Sequence, residues 1–200
     1  MVIKKAVTAA LALLAAVVTG SVEAAKGFSY SYADIGYLRQ NLDTSNTGNN
    51  FAHEDGIEVD AAFGVYDLVS LRARFMRGRI DTSGGSANET IFSAGALVHY
   101  PVFDKLDVFG EFLWFNSKLN DSNVKSSTDL GADYSAGVRY RVMKKLELGV
   151  AYRRLGGNWD EGFGKVQALY RVTKKMDVVG KAELGSDDDE RYFAGIRLNF

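Results

Sequence analysis

Only two side chains of this 200-residue chain have the pKa range for proton transfer near neutral pH, His53 and His99. His53 lies in FAHEDG beside Glu54 and Asp55, the composition of a His-plus-acid base. A lone histidine in a polar stretch is more often simply solvated, and that reading is the weightier one. The absence of cysteine removes thiol nucleophiles, disulfides, thiolate metal sites and a lipidated N-terminal cysteine. Asp187-Asp188-Asp189-Glu190 offers hard oxygen ligands for Ca²⁺ or Mg²⁺, but without the spacing of a dedicated calcium loop. No cofactor and no metal are therefore expected. The net charge of −1 gives no reason to expect nucleic acid as a partner.

Elsewhere the charges recur at every second residue: Glu58 and Asp60, Arg72 and Arg74, Arg139 and Arg141. That spacing places both members of each pair on one face of an extended strand. The last ten residues, RYFAGIRLNF, alternate in the same way. Tyr192, Ala194, Ile196, Leu198 and Phe200 share one face; Arg191, Gly195, Arg197 and Asn199 share the other, with Phe193 as the apolar exception.

Similar alternation predicts ten strands at 27–39, 57–66, 69–79, 90–100, 106–118, 130–142, 146–155, 162–172, 176–185 and 191–200. Their connections alternate between short turns and polar loops, with loops expected at 40–56, 81–89, 119–129, 156–161 and 186–190. Three of the turns repeat one pattern: YPVFDKLDV, YRVMKKLEL and YRVTKKMDV. Repeated hairpins of this kind indicate an antiparallel meander. At the start, Lys4 and Lys5 precede an apolar run at 6–20 and the site Val22-Glu23-Ala24, predicting a signal peptide over 1–24. An apolar run of that length is short for a membrane anchor, which needs about 20 residues. No later stretch is apolar and long enough for a membrane helix. A secreted chain that spans a bilayer without helices must close into a barrel, because backbone groups in lipid need partners.

The expected fold is thus all-β: an up-and-down antiparallel transmembrane β-barrel over 25–200, of about ten strands. Eight is the alternative, with the hairpin around 156–172 outside the barrel. In the first strand Phe28, Tyr30 and Tyr32 stand on the wrong parity, so an interfacial girdle or a bulge is expected there. The expected lumen carries Asp34, Glu58, Asp60, Glu111, Asp133, Glu147, Asp177 and Glu183. Against these stand Arg72, Arg74, Arg139, Arg141, Arg153, Lys165, Arg171, Lys181 and Arg197. Cross-strand pairs are expected between the Glu58/Asp60 strand and the Arg72/Arg74 strand. Such a lumen is either a charged pore or a salt-bridged plug; the plug is favoured because a narrow barrel excludes bulk water. A soluble lipid-binding barrel would need the apolar rows inside instead.

The closing residues Gly195, Leu198 and Phe200 carry a resemblance. They match the C-terminal assembly signal of the small outer-membrane β-barrel families of Gram-negative bacteria, and Phe193 departs from the polar residue usual there. That broad group holds OmpA-type membrane domains, OmpX-like proteins and porin-like barrels. The resemblance implies export through the periplasm with chaperones, insertion by the barrel assembly machinery, and residence in outer-membrane lipid and lipopolysaccharide. Arg77 and Arg79 share the outward parity of Phe75, so they either contact lipopolysaccharide phosphates or are turned to water by a bulge. Tyr37, Tyr100, Tyr134, Tyr140, Tyr152, Tyr170, Tyr192 and Trp114 are read as interfacial belts, and Trp159 as a candidate for surface recognition. The expected role is a monomeric, non-catalytic envelope barrel, structural or engaged in surface interaction. Its alternatives are a narrow porin-like channel and, third, an outer-leaflet enzyme using His53.

Overall fold

The computed structural model describes residues 28–42, 52–82, 85–121, 127–157, 161–185 and 189–200. Ten strands follow in chain order: β1 (Tyr32–Leu42), β2 (Ala52–Tyr66), β3 (Val69–Thr82), β4 (Gly85–Phe103), β5 (Leu106–Asp121), β6 (Ser127–Met143), β7 (Leu146–Leu155), β8 (Glu161–Arg171), β9 (Met176–Gly185) and β10 (Glu190–Asn199). Each pairs antiparallel with the next, and β10 returns to β1, closing the barrel. Closure leaves no unpaired sheet edge, as a bilayer requires. The hairpin around 156–172 lies within the wall, β8 pairing with both β7 and β9, so the count is ten and not eight.

The short turns share one backbone bond to the neighbouring hairpin. The residue just before each following strand (Leu68, Lys105, Lys145 and Lys175) gives its carbonyl to an amide of the neighbouring hairpin: His99, Arg141, Arg171 and Asn199, at 2.8–2.9 Å. Three of the four turns are preceded by a register shift, at Gly64/Tyr66, Pro101/Phe103 and Arg141/Met143. Each turn is thus held to the adjacent strand as well as to its own hairpin.

The apolar rows face outward. Ile35, Ile57, Leu71, Val98, Phe112, Val150 and Ile196 are all exposed at 40–56 %, an arrangement suited to hydrocarbon rather than water. Tyr37, Trp114, Tyr134, Tyr152 and Tyr192 stand toward one end of this band, and Tyr66, Tyr100, Tyr140 and Tyr170 toward the other.

Several expected boundaries were wrong. The first strand starts at Tyr32 rather than 27, and Phe28, Tyr30 and Tyr32 form neither girdle nor bulge but point into the lumen. Parts of three expected polar loops, 40–56, 81–89 and 119–129, are strand. His53, Glu54 and Asp55 belong to β2, the β3–β4 ladder continues to Thr82 opposite Gly85, and the β5–β6 ladder to Leu119 opposite Ser127. The hairpin of β4 and β5 turns after Phe103, so Pro101 is a strand residue facing Asp107. The expected signal peptide, Trp159 and Asp187-Asp188 lie outside the described residues.

Candidate functional site: a filled lumen and an acidic mouth

Inward positions of all ten strands meet in the lumen, and in its middle the charges interlock. Arg197 on β10 stands opposite Asp34 on β1 and binds it through two nitrogens, at 2.6 and 2.9 Å. Lys181 on β9 reaches Asp34 at 3.1 Å, Glu58 at 3.2 Å and Asp60 at 3.4 Å. Arg72 binds Asp60 and Glu111, its Nε donating to Asp60 at 2.8 Å. Arg74 does not pair within its own hairpin; it crosses the lumen to Asp133 on β6 at 3.1 Å and approaches Glu111 on β5 at 3.7 Å. Arg153 clamps Asp133 at 2.8 and 2.9 Å and Glu183 at 2.6 Å, while Lys165 meets Glu183 at 3.3 Å. Nearly all these side chains are buried, so each carries a desolvation cost that only a partner offsets. The expected Asp60–Arg72 pairing is present; the path of Arg74 was not foreseen.

An apolar seam runs beside these pairs. Gly36 and Gly195 face each other where β1 meets β10, and a Cβ on either would come within 2.3 Å of a backbone oxygen of the other strand. The ring of Phe193 covers both glycines, with the Lys181 ammonium 4.4 Å from its centroid. This accounts for the apolar exception in the last strand: an aromatic ring shields a glycine pair that lets the closing strands approach. Gly195 thus serves the seam, whereas Leu198 faces outward and Phe200 donates its amide to Ser31 at 3.2 Å.

The turn-side end of the lumen is stopped by the chain itself. Residues 28–31 run inside the barrel before β1 begins. Tyr30 stacks on His99, with centroids 3.5 Å apart and planes at 12°, and its hydroxyl donates to Asp107. His99 Nδ1 is 3.3 Å from the same carboxylate. Arg139 lies over Tyr30 and Phe28 at 4.6 and 5.0 Å and binds Glu147 at 2.6 Å, while Arg141 lies over Phe28 at 4.7 Å. Arg171 pairs with Asp177 at 3.3 Å. Above this strap a cavity of about 40 Å³ remains, and one of about 20 Å³ lies beside Glu58 and Arg74, room for about one to three waters each.

The loop-side mouth differs. On β2 the outward residues turn polar beyond Ile57, with Asp55 and then His53, so Glu54 stands outside the membrane-crossing segment. Its side chain crosses β3 over Gly78, where a Cβ would come within 2.0 Å of Glu54 Oε1, and meets Glu89 of β4. Burial first, and the Glu89 carboxylate second, push the Glu54 pKa up to about 7. Ser117 donates to Glu89 at 2.7 Å. A cavity of about 520 Å³ opens above this pair. Glu54 and Glu89 both fall among the acids of the expected loops 40–56 and 81–89, but nothing in the sequence marks them as partners, because β3 separates them.

On the outer surface at this end His53 faces away from the lumen, 3.5 Å from Asp55, which also accepts the Tyr37 hydroxyl. Arg77 and Arg79 keep their outward parity with no bulge in β3 at their level. Arg79 is bound to Asp81 at 2.9 Å. Arg77 shares a row with Thr90 and Lys118, one cation on either side of a hydroxyl.

A closed antiparallel barrel is the form shared by a known family. The family model for the outer membrane protein beta-barrel domain matches residues 9–168. The chain belongs to that family. It is an outer-membrane protein, and the apolar band is its lipid-facing surface. Among solved structures, the translocator domain of the autotransporter NalP from Neisseria meningitidis is similar at 13 % identity, covering 94 % of this chain and 92 % of that one, with a TM-score of 0.53. The KdgM porin in complex with disordered oligogalacturonate aligns at 14 % identity over 84 % and 99 % (TM-score 0.43), and Neisserial surface protein A at 14 % over 86 % and 98 % (TM-score 0.45). At these identities the likeness is one of fold. No curated protein matches the chain.

Proposed function

We propose that this outer-membrane barrel is a sealed, non-catalytic envelope protein that presents surfaces to the membrane and the exterior rather than a conduit. The observation that carries this reading is the interlocked middle tier, where Lys181 and Arg72 join β1, β2, β3, β5 and β9 across the lumen. A permeating ion would have to break buried pairs whose separation leaves uncompensated charge. Planar-bilayer recording of the refolded mature chain tests it: no steps above baseline are expected. A reproducible unit conductance would instead favour the narrow channel. Against catalysis stands the placing of His53 on the outer face, away from the Glu54–Glu89 pair. His53→Ala should leave lipid or peptide cleavage assays unchanged from wild type.

The lipid contact we propose uses Arg77 and Lys118 rather than Arg77 and Arg79. Arg77, Thr90 and Lys118 form one registered row without an acid, above the exposed rings of Phe92 and Trp114. That row suits a lipopolysaccharide phosphate at the headgroup level. Barrel assembly machinery and periplasmic chaperones complete the proposed partners during biogenesis, with the finished barrel a monomer.

A further inference from the structure

At its turn-side rim the barrel carries cations without acid partners. Lys105, Lys144, Lys145, Lys174 and Lys175 stand on three successive hairpin turns, those of β4–β5, β6–β7 and β8–β9. All five are exposed, and among the described residues none of them makes an ion pair. The inward acids closest to these turns are held elsewhere, Glu147 by Arg139 at 2.6 Å and Asp177 by Arg171 at 3.3 Å. The exposed turn acids, Asp67 and Asp104, belong to the β2–β3 and β4–β5 hairpins. The turns of β6–β7 and β8–β9 thus present four lysines and no exposed carboxylate. We propose that this rim binds anionic phospholipid headgroups of the turn-side leaflet, with the Lys144-Lys145 and Lys174-Lys175 pairs as its main contacts.

Backbone bonds fix the spacing of these charges. The carbonyls of Lys105, Lys145 and Lys175 each accept a bond of 2.8 Å, from the amides of Arg141, Arg171 and Asn199, so every lysine turn is tied to the next hairpin. Only the side-chain stems are left for a ligand to order, which keeps the cost of binding low. The surrounding residues set the depth. Ahead of the turns stand Tyr100 and Val102, Tyr140 and Val142, and Tyr170 and Val172. The three phenol rings are 47–60 % exposed, and rings of this kind mark the boundary between hydrocarbon and headgroups. Phe103 and Met143, more exposed still, lie at the turns themselves. A soluble polyanion would leave these apolar side chains in water; a bilayer interface covers them. From that depth a lysine stem runs along apolar surface and delivers its ammonium to the headgroup phosphates. Clustered lysines at a bilayer surface draw anionic lipid in preference to neutral lipid. This contact lies at the opposite end of the wall from Arg77 and Lys118, and it does not depend on whether the lumen conducts.

The test is native mass spectrometry of the refolded mature chain, released from uncharged detergent micelles that hold equal amounts of phosphatidylglycerol and phosphatidylcholine. Retained phosphatidylglycerol is expected to exceed phosphatidylcholine by roughly threefold or more. The combined variant Lys144→Gln, Lys145→Gln, Lys174→Gln and Lys175→Gln, confirmed folded by its strand signal in circular dichroism, should lose that preference. The same four positions changed to Arg should keep it. Arg39→Gln with Arg79→Gln, at the loop-side rim, should also keep it. Equal retention of the two lipids by the wild type overturns the proposal, as does an undiminished preference in the Gln set. Loss of the preference in the Arg39 and Arg79 variant would overturn it too, by placing the lipid at the other rim. Displacement of phosphatidylglycerol by dextran sulfate at equal charge would overturn it in favour of a soluble polyanion.

Discussion

Asp60 and Glu54 stand on the same inward face of β2 and meet opposite surroundings. At the level of Asp60, β3 supplies Arg72 and Arg74, and Lys181 arrives from β9. At the level of Glu54, β3 supplies Gly78 and Ile80, so the carboxyl crosses the empty glycine position and finds another acid. Both groups are buried, at 0 % and 1 % exposure, so burial alone does not separate them. What separates them is the neighbour that the hydrogen-bond register brings. One carboxylate is a structural tie; the other is a proton-sharing acid left to respond to solution.

The strongest way to break this contrast is to remove the matched acid. Asp60→Ala leaves Arg72 and Lys181 short of a buried counter-charge and is expected to cost about 3–5 kcal/mol, read from urea unfolding in micelles. Truncating the strap comes next. Tyr30→Ala removes the ring stacked on His99 and is expected to cost about 2–3 kcal/mol while leaving bilayer conductance at baseline, because the middle tier stays shut. A conductance appearing in that variant would mean that the strap, and not the ion pairs, closes the barrel.

The acidic mouth gives smaller effects with a pH signature. The Glu54 pKa is raised from 4.5 to about 7, so between those values the folded state holds more protons than the unfolded one. Stability is therefore greatest below the lower value and falls as pH rises through the window, levelling off above it. The fall is expected to be on the order of 2 kcal/mol and to vanish in Glu54→Gln, which unfolding midpoints across the pH range would register. Gly78→Ala sharpens the same point. Its Cβ would displace the Glu54 carboxyl, a flexible side-chain end, and is expected to flatten the pH slope without opening the barrel. Least of all, Arg79→Ala breaks only an exposed pair with Asp81 and should shift stability by less than about 0.5 kcal/mol.

The strand count and the facing of each row were legible because hydrocarbon imposes a period of two wherever it touches the chain. Beyond the hydrocarbon both faces are wet, and the signal stops although the ladder does not. His53 and Asp55 on β2, and Asn88 on β4, are outward strand residues with no apolar row to mark them, so they read as loop. The strap was misread for the converse reason. An aromatic ring on the inward parity looks the same in sequence whether it lines an interface or fills a lumen, and only the packing of Phe28 and Tyr30 against Arg139 distinguishes them. Which lumen charges pair was legible within a hairpin, as for Asp60 and Arg72. It was illegible across the barrel, as for Arg74 and Asp133, because the crossing depends on how far the wall curves before it closes. The Glu54–Glu89 contact was hidden in the same way by an intervening strand.

The bond between Asp34 and Arg197 joins residues 163 positions apart, at the seam where first strand meets last. Until the final segment has been delivered, Asp34 waits without its guanidinium. Without β10, Asp34 keeps only Lys181 as a counter-charge, and β1 stands as an unpaired edge of the kind a bilayer does not admit. Closing the wall and neutralising that acid fully are thus one event, and it needs both terminal strands of the barrel.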